Sequence, residues 1–190
     1  MIDTDGFLQE RLYAATTLNL NTMRDIAKGH EALRKGRYSV AGASYFLTIC
    51  IEDQQTGLTD MPVSEKVLAA AKEACCGWEV RTVVVMPDHV HLLVELHSDQ
   101  TLSHAFRLLK GRTSVVLRQV GLKWQRGYYD HKLRSTDDVF PIFLYIYLNP
   151  YRAELLSSGR MWPCYYCAAD DWAWFGLLTK QACPYPEWLE

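Results

Sequence analysis

No stretch of this 190-residue chain stays apolar for the roughly 20 residues needed to span a bilayer. The longest candidate, VVVMPDHVHLLVEL, is broken by Asp88, His89, His91 and Glu95. The opening MIDTDGFLQE carries acids where a secretory leader carries bases, and no apolar core follows it. A cytoplasmic protein without a membrane partner is therefore the expectation. Internal repeats and low-complexity segments are also missing, which argues against solenoids and linkers. The length suits one domain with a real core and is tight for two. A dominant charge is absent as well: 20 Lys and Arg against 22 Asp and Glu leave a net −2, which speaks against a uniformly basic nucleic-acid binder. The cysteines Cys50, Cys75, Cys76, Cys164, Cys167 and Cys183 include one CxxC, at Cys164 and Cys167. There is no second CxxC and no Cys/His pair at finger spacing. Zinc wants four ligands, so buried thiols are the expected reading.

What the chain does have is an uneven charge distribution. Between Leu102 and Arg134 lie Arg107, Lys110, Arg112, Arg118, Lys123, Arg126, Lys132 and Arg134, against the single acid Asp130. Such a run is commonly just a solvated helix face. Here it also holds Trp124, Tyr128 and Tyr129, so bases could stack where phosphates are held.

Periodicity and punctuation give the element order. Residues Asp3 to Lys35 read as a helical N-terminal extension, placed at 1–36. Tyr45 to Ile51, rich in aromatic and β-branched residues, reads as a strand. A polar loop follows, then a helix from Pro62 through Ala74 that stops near Gly77. Glu79–Met86 and Val90–Leu96 read as strands separated by Pro87 and Asp88. Thr101–Gln119 reads as a helix, Tyr128–Leu133 as a short strand, and a further helix is expected from Ser135 or Thr136 to Pro150. The tail from Trp162 is expected to wrap irregularly on a domain spanning 37–162. This order implies an α+β fold, an antiparallel sheet with helices packed on it.

Two local patterns carry chemistry. His89 and His91 open a strand, and alternation puts both on one face, about 7 Å apart, where they can share a metal ion. The plain alternative is two unrelated histidines at a strand edge. In YIYLNP, Tyr145 and Asn149 lie four apart on a helix and share a face. Asn149 offers a hard carbonyl oxygen for Mg²⁺ or Mn²⁺, and Tyr145 a phenol able to attack phosphorus. The plain alternative is an aromatic helix packed on the sheet. Tyr147 lies about 200° round from Tyr145, so at most one of the two shares the face of Asn149.

Taken together, MPDHVHLLVEL, the basic helix, WQRGYYDHKLR and YIYLNPYRAELL resemble the REP-associated tyrosine transposases, single-tyrosine members of the HUH superfamily (REP being the repetitive extragenic palindrome). The resemblance runs from about Arg37 to Trp162. It implies a ferredoxin-like HUH fold, His89, His91 and Asn149 as ligands of a divalent metal ion, and Tyr145 as the nucleophile. It implies cleavage of single-stranded DNA beside a hairpin, leaving a 5′-phosphotyrosine and a free 3′-hydroxyl. Single-stranded or hairpin DNA would be the partner of a monomer or homodimer. Arg107, Lys110, Arg112, Lys123, Arg126, Tyr128, Lys132 and Arg134 are the candidate DNA-binding residues. The rivals are a domesticated hairpin-binding protein without cleavage activity and a small-phosphoester hydrolase. Pro141, four residues before Tyr145, stands out, because in a second helical turn it would kink the approach of the nucleophile.

Overall fold

The computed structural model describes residues 39–73, 77–97, 99–134, 136–157 and 160–181. The expected N-terminal helical extension lies outside them. In chain order come β1 (Ser44–Cys50), α1 (Val63–Lys72), β2 (Trp78–Val85), β3 (His89–Leu96), α2 (Leu102–Gln119), β4 (Tyr129–Lys132), α3 (Phe140–Arg152), β5 (Tyr165–Cys167) and α4 (Ala169–Gln181). The five strands form one sheet in the order β4-β1-β3-β2-β5, every neighbouring pair antiparallel. The first four strands and two helices make the β-α-β-β-α-β ferredoxin-like arrangement expected from the sequence.

Strand alternation separates two cores. Tyr45, Leu47 and Ile49 of β1, with Val90, Leu92 and Val94 of β3, face α1 and α2. Phe46 of β1, Val84 of β2 and Leu93 of β3 face α3, in a cluster that also contains Phe143, Ile146 and Phe175. His91 shares the parity of Leu93 and so points to the α3 side. A near-continuous apolar β3 is what burial on both faces demands. α2 begins at Thr101, whose side chain accepts from the His104 N–H, and ends before Gly121, at φ +76°.

The chain departs from the sequence expectations in three places. α3 starts at Phe140, not at Ser135 or Thr136, with Asp138 Oδ1 accepting from the Phe140 N–H at 3.0 Å. Pro141 therefore sits in the first turn, where its missing N–H has no intrahelical partner to lose, and the expected kink has no cause. α3 also runs past Pro150 to Arg152. A proline this near the C-terminus removes only its own donor, and the Ala153 N–H still reaches the Asn149 carbonyl. Finally, the described part of the tail, 160–181, is largely regular. β5 adds to the β2 edge, and α4 packs Phe175 into the α3 cluster, with Asp171 held by Arg81 at 2.5 Å.

Candidate functional site

The site lies between β3 and α3, on the sheet face opposite α1 and α2. The β3 pleat aims both histidines the same way, and their Nε2 atoms are 3.1 Å apart. Each outer ring nitrogen has its own partner. His89 Nδ1 lies 2.6 Å from Asp88 Oδ1, and His91 Nδ1 lies 2.8 Å from Thr48 Oγ1, directly across the β1–β3 ladder. A carboxylate can only accept, so Nδ1 of His89 carries a proton. The Thr48 hydroxyl rotates to serve either tautomer of His91. It donates when His91 gives its Nε2–H to His89, and accepts when both Nε2 lone pairs turn to a shared ion. Phe46 stacks on the His91 ring at 5.4 Å and fixes its plane.

The electrostatics favour neutral imidazole. Burial, with His89 adding to it, holds His91 well below the ordinary histidine pKa. The hydrogen bond to His89 lowers that of Asp88, keeping it a carboxylate. Imidazoles braced from behind in this way could hold a metal ion, since outer-shell acceptors orient such ligands. Among the described residues no three His, Cys, Asp or Glu side chains gather to complete a cage. Among the described residues, an amide oxygen such as that of Asn149 is the type of donor that could join the imidazoles, with water and substrate.

α3 brings the phenol. The Tyr145 hydroxyl lies 3.4 Å from His91 Nε2, with its ring edge-on to both His91 and Phe46. Burial raises the Tyr145 pKa, while a hydrogen bond with the Asn149 side chain and the charge of Arg152 pull it down. Tyr145 and Asn149 thus share a face, as their spacing of four requires. Tyr147 goes elsewhere, packing its ring against Tyr165, Tyr151 and Phe175.

The basic segment is differently placed. α2 packs on the other face of the sheet. Its Lys110 reaches round to donate to the carbonyls of Gln125 and Gly127 at 2.6 and 2.9 Å. This staples the 124–128 segment beside the end of β1, where the Gln125 N–H also bonds the Cys50 carbonyl. Arg112 pairs with Glu73, and Lys123 with Glu52 at 3.0 Å. Arg107, Arg126, Lys132 and Arg134 have exposed side chains. Tyr128 stacks on Phe106 at 3.8 Å, its hydroxyl 3.3 Å from Ser103. Cys164 is buried on the α1 side, whereas Cys167 packs with the α3 cluster, so the CxxC does not converge.

Sequence reasoning missed Asp88, Thr48 and Arg152. Asp88 was legible only as a strand break, although it directly precedes His89. Thr48 is 43 residues from His91 and joins it only through strand register. Arg152 had a signal, being three residues past Asn149 on the same helical stripe.

The chain is similar to known proteins in sequence and in fold. The model of the family described as "Transposase IS200 like" matches residues 39–138. A Haemophilus influenzae protein named as a REP-associated tyrosine transposase is 28% identical over 141 residues, covering 64% of this chain and 78% of that protein. The solved structure of a REP-associated tyrosine transposase bound to a REP hairpin superposes with a TM-score of 0.58 at 22% identity, covering 79% of this chain and 86% of the other, and shares the fold. The fold, the paired imidazoles with Tyr145 beside them, and the family match over more than half its length place this chain in the IS200-like transposase family.

Proposed function

We propose that this chain cleaves and rejoins single-stranded DNA beside a hairpin, with Tyr145 as nucleophile and His89, His91 and Asn149 as ligands of one divalent ion. The observation that carries this reading is the Tyr145 hydroxyl 3.4 Å from His91 Nε2, itself 3.1 Å from His89 Nε2. A nucleophile beside a pair of braced imidazoles suits metal-assisted phosphodiester attack. The REP hairpin bound by the structurally similar protein favours a hairpin substrate here.

In the reaction the Tyr145 oxygen bonds to phosphorus and the bond from phosphorus to the 3′-oxygen breaks. The phenolic proton leaves to solvent, and the departing 3′-oxygen takes one up. The products are a 5′-phosphotyrosine and a free 3′-hydroxyl, and attack by a second 3′-hydroxyl reverses the step to join strands. Mg²⁺ or Mn²⁺, when bound, supplies Lewis-acid polarisation of a non-bridging phosphate oxygen. Asp88 and Thr48 hold the imidazoles, and α3 keeps phenol and amide side by side.

DNA is held by Arg107, Arg126, Lys132 and Arg134 with Tyr128. Lys110, Arg112 and Lys123 shape this surface more than they neutralise phosphates. α2 and the site lie on opposite faces, so a strand reaching both crosses an edge of the sheet, and Lys132 and Arg134 place cations at the β4 edge. The test is a hairpin oligonucleotide with single-stranded flanks. Wild-type protein should form a denaturant-stable, protease-sensitive adduct that chelator prevents. Hairpin binding with no adduct under any divalent ion would favour a binding-only protein.

A further inference from the structure

Arg152 belongs to none of the groups assigned so far. It ends α3, seven residues after Tyr145 and three after Asn149, on one stripe of the helix. Its guanidinium carbon lies 5.7 Å from the centre of the Tyr145 ring. A cation in a last helical turn suits the helix dipole wherever it points, so position alone says little. The conformation says more. Side chains on a helix lean back toward its N-terminus, and this one lies against the nucleophile instead of reaching into solvent. The half-buried guanidinium gives up hydration there, and burial lowers its pKa.

A guanidinium held over the phenol ring is placed to meet an arriving diester phosphate. When Tyr145 attacks, a second negative charge develops on the non-bridging oxygens. The imidazole pair lies on one side of the phenol, at His91, and Arg152 covers its ring. A guanidinium offers a planar fork matched to two phosphate oxygens, and a preorganised cation in a partly desolvated site stabilises developing charge strongly.

We infer that Arg152 and the Tyr145–Asn149 face of α3 form a phosphate-binding site, in which the guanidinium grips the non-bridging oxygens of the scissile diester and of the phosphotyrosine formed from it. The inference rests on Tyr145 being the nucleophile. It adds a second, protein-borne source of charge stabilisation independent of the metal. Lysine, a point charge without the fork, should replace Arg152 only in part.

Two measurements on the full chain test this, with Tyr145→Phe as reference. In the first, Arg152→Gln and Arg152→Lys are compared with wild type for the rate of adduct formation on the hairpin oligonucleotide. Arg152→Gln should keep its melting temperature and weaken hairpin binding by about three- to tenfold, the loss of one phosphate contact, yet form adduct at least a hundredfold more slowly. Arg152→Lys should recover at least tenfold of that loss. The second measurement needs no cleavage. In the Tyr145→Phe background, each phosphate of the single-stranded flank is replaced in turn by a neutral methylphosphonate. One position should weaken binding when Arg152 is present and have no effect once Arg152 is glutamine. Wild-type adduct rates in Arg152→Gln would overturn the inference, as would a scan with no position that depends on Arg152. An adduct that survives Tyr145→Phe would instead overturn the nucleophile assignment, and the scan would then decide the phosphate site by itself.

Discussion

Thr48 Oγ1 and His91 Nδ1 face each other at 2.8 Å across the β1–β3 ladder, both buried. The hydroxyl is the group that can support either tautomer of His91, so it sets the ring orientation in both. Removing it while keeping the shape should loosen the metal site without emptying the core. Thr48→Val is expected to weaken Mn²⁺ binding by about 10–100-fold, the usual cost of a lost outer-shell partner, and Thr48→Ser to leave it nearly intact. Titration calorimetry of the two variants checks this. Equal Mn²⁺ affinity in Thr48→Val and wild type would remove Thr48 from the site.

The donor set also bears on metal choice. Two imidazole nitrogens and one amide oxygen bind Mn²⁺ more readily than Mg²⁺, which prefers oxygen cages and retains its water. Adduct formation should therefore stop in excess EDTA, return with either ion, and saturate at lower Mn²⁺ than Mg²⁺. His89→Ala and His91→Ala should each abolish that return. Full activity in excess EDTA would exclude a metal role for the pair.

The cations of the 102–134 segment divide into two sets with different expected signatures. Arg107, Arg126, Lys132 and Arg134 are exposed, whereas Lys110 is tied to the Gln125 and Gly127 carbonyls. For each member of the first set that contacts a phosphate, replacement by Gln should lower the slope of log affinity against log salt by about 0.7 on single strands. Lys110→Met should leave that slope nearly unchanged and cost about 1.5–3 kcal/mol of stability, because charged hydrogen bonds to carbonyls are lost. Salt titrations and thermal melts distinguish the two sets. The sorting fails if Lys110→Met changes the slope and not the stability.

Much of this was legible in the chain. The alternation of HVHLLVEL already puts both imidazoles on one face, and four-residue spacing already puts Asn149 beside Tyr145, because both rules are local. The order of strands and helices, and an antiparallel sheet with helices packed on it, followed from the apolar runs and their punctuation; the ferredoxin-like form came with the family resemblance. What could not be read depended on register and side-chain direction. Thr48 meets His91 only once β1 is paired, and Arg152 reaches Tyr145 only through the lean of its side chain. The tail misled because its aromatic, Pro-containing composition resembles a loop, while Tyr165–Cys167 in fact completes a sheet edge. Pro141 misled because the start of α3 was placed several residues too early; observed from Phe140, it occupies a position that suits proline.

The most direct test of the central claim is the identity of the residue that becomes bonded to DNA. Tyr145→Phe deletes one oxygen from a ring that Phe46 and His91 hold on two sides, so stability should change by no more than about 1 kcal/mol. Wild type and Tyr145→Phe are incubated with a labelled hairpin oligonucleotide and Mn²⁺, digested with protease, and the nucleotide-bearing peptide is sequenced by mass spectrometry. The account predicts one modified peptide in wild type, phosphorylated at Tyr145, and none in Tyr145→Phe although hairpin binding persists. A nucleotide on Tyr128, Tyr129, Tyr147 or Tyr151, with adduct surviving in Tyr145→Phe, would contradict it.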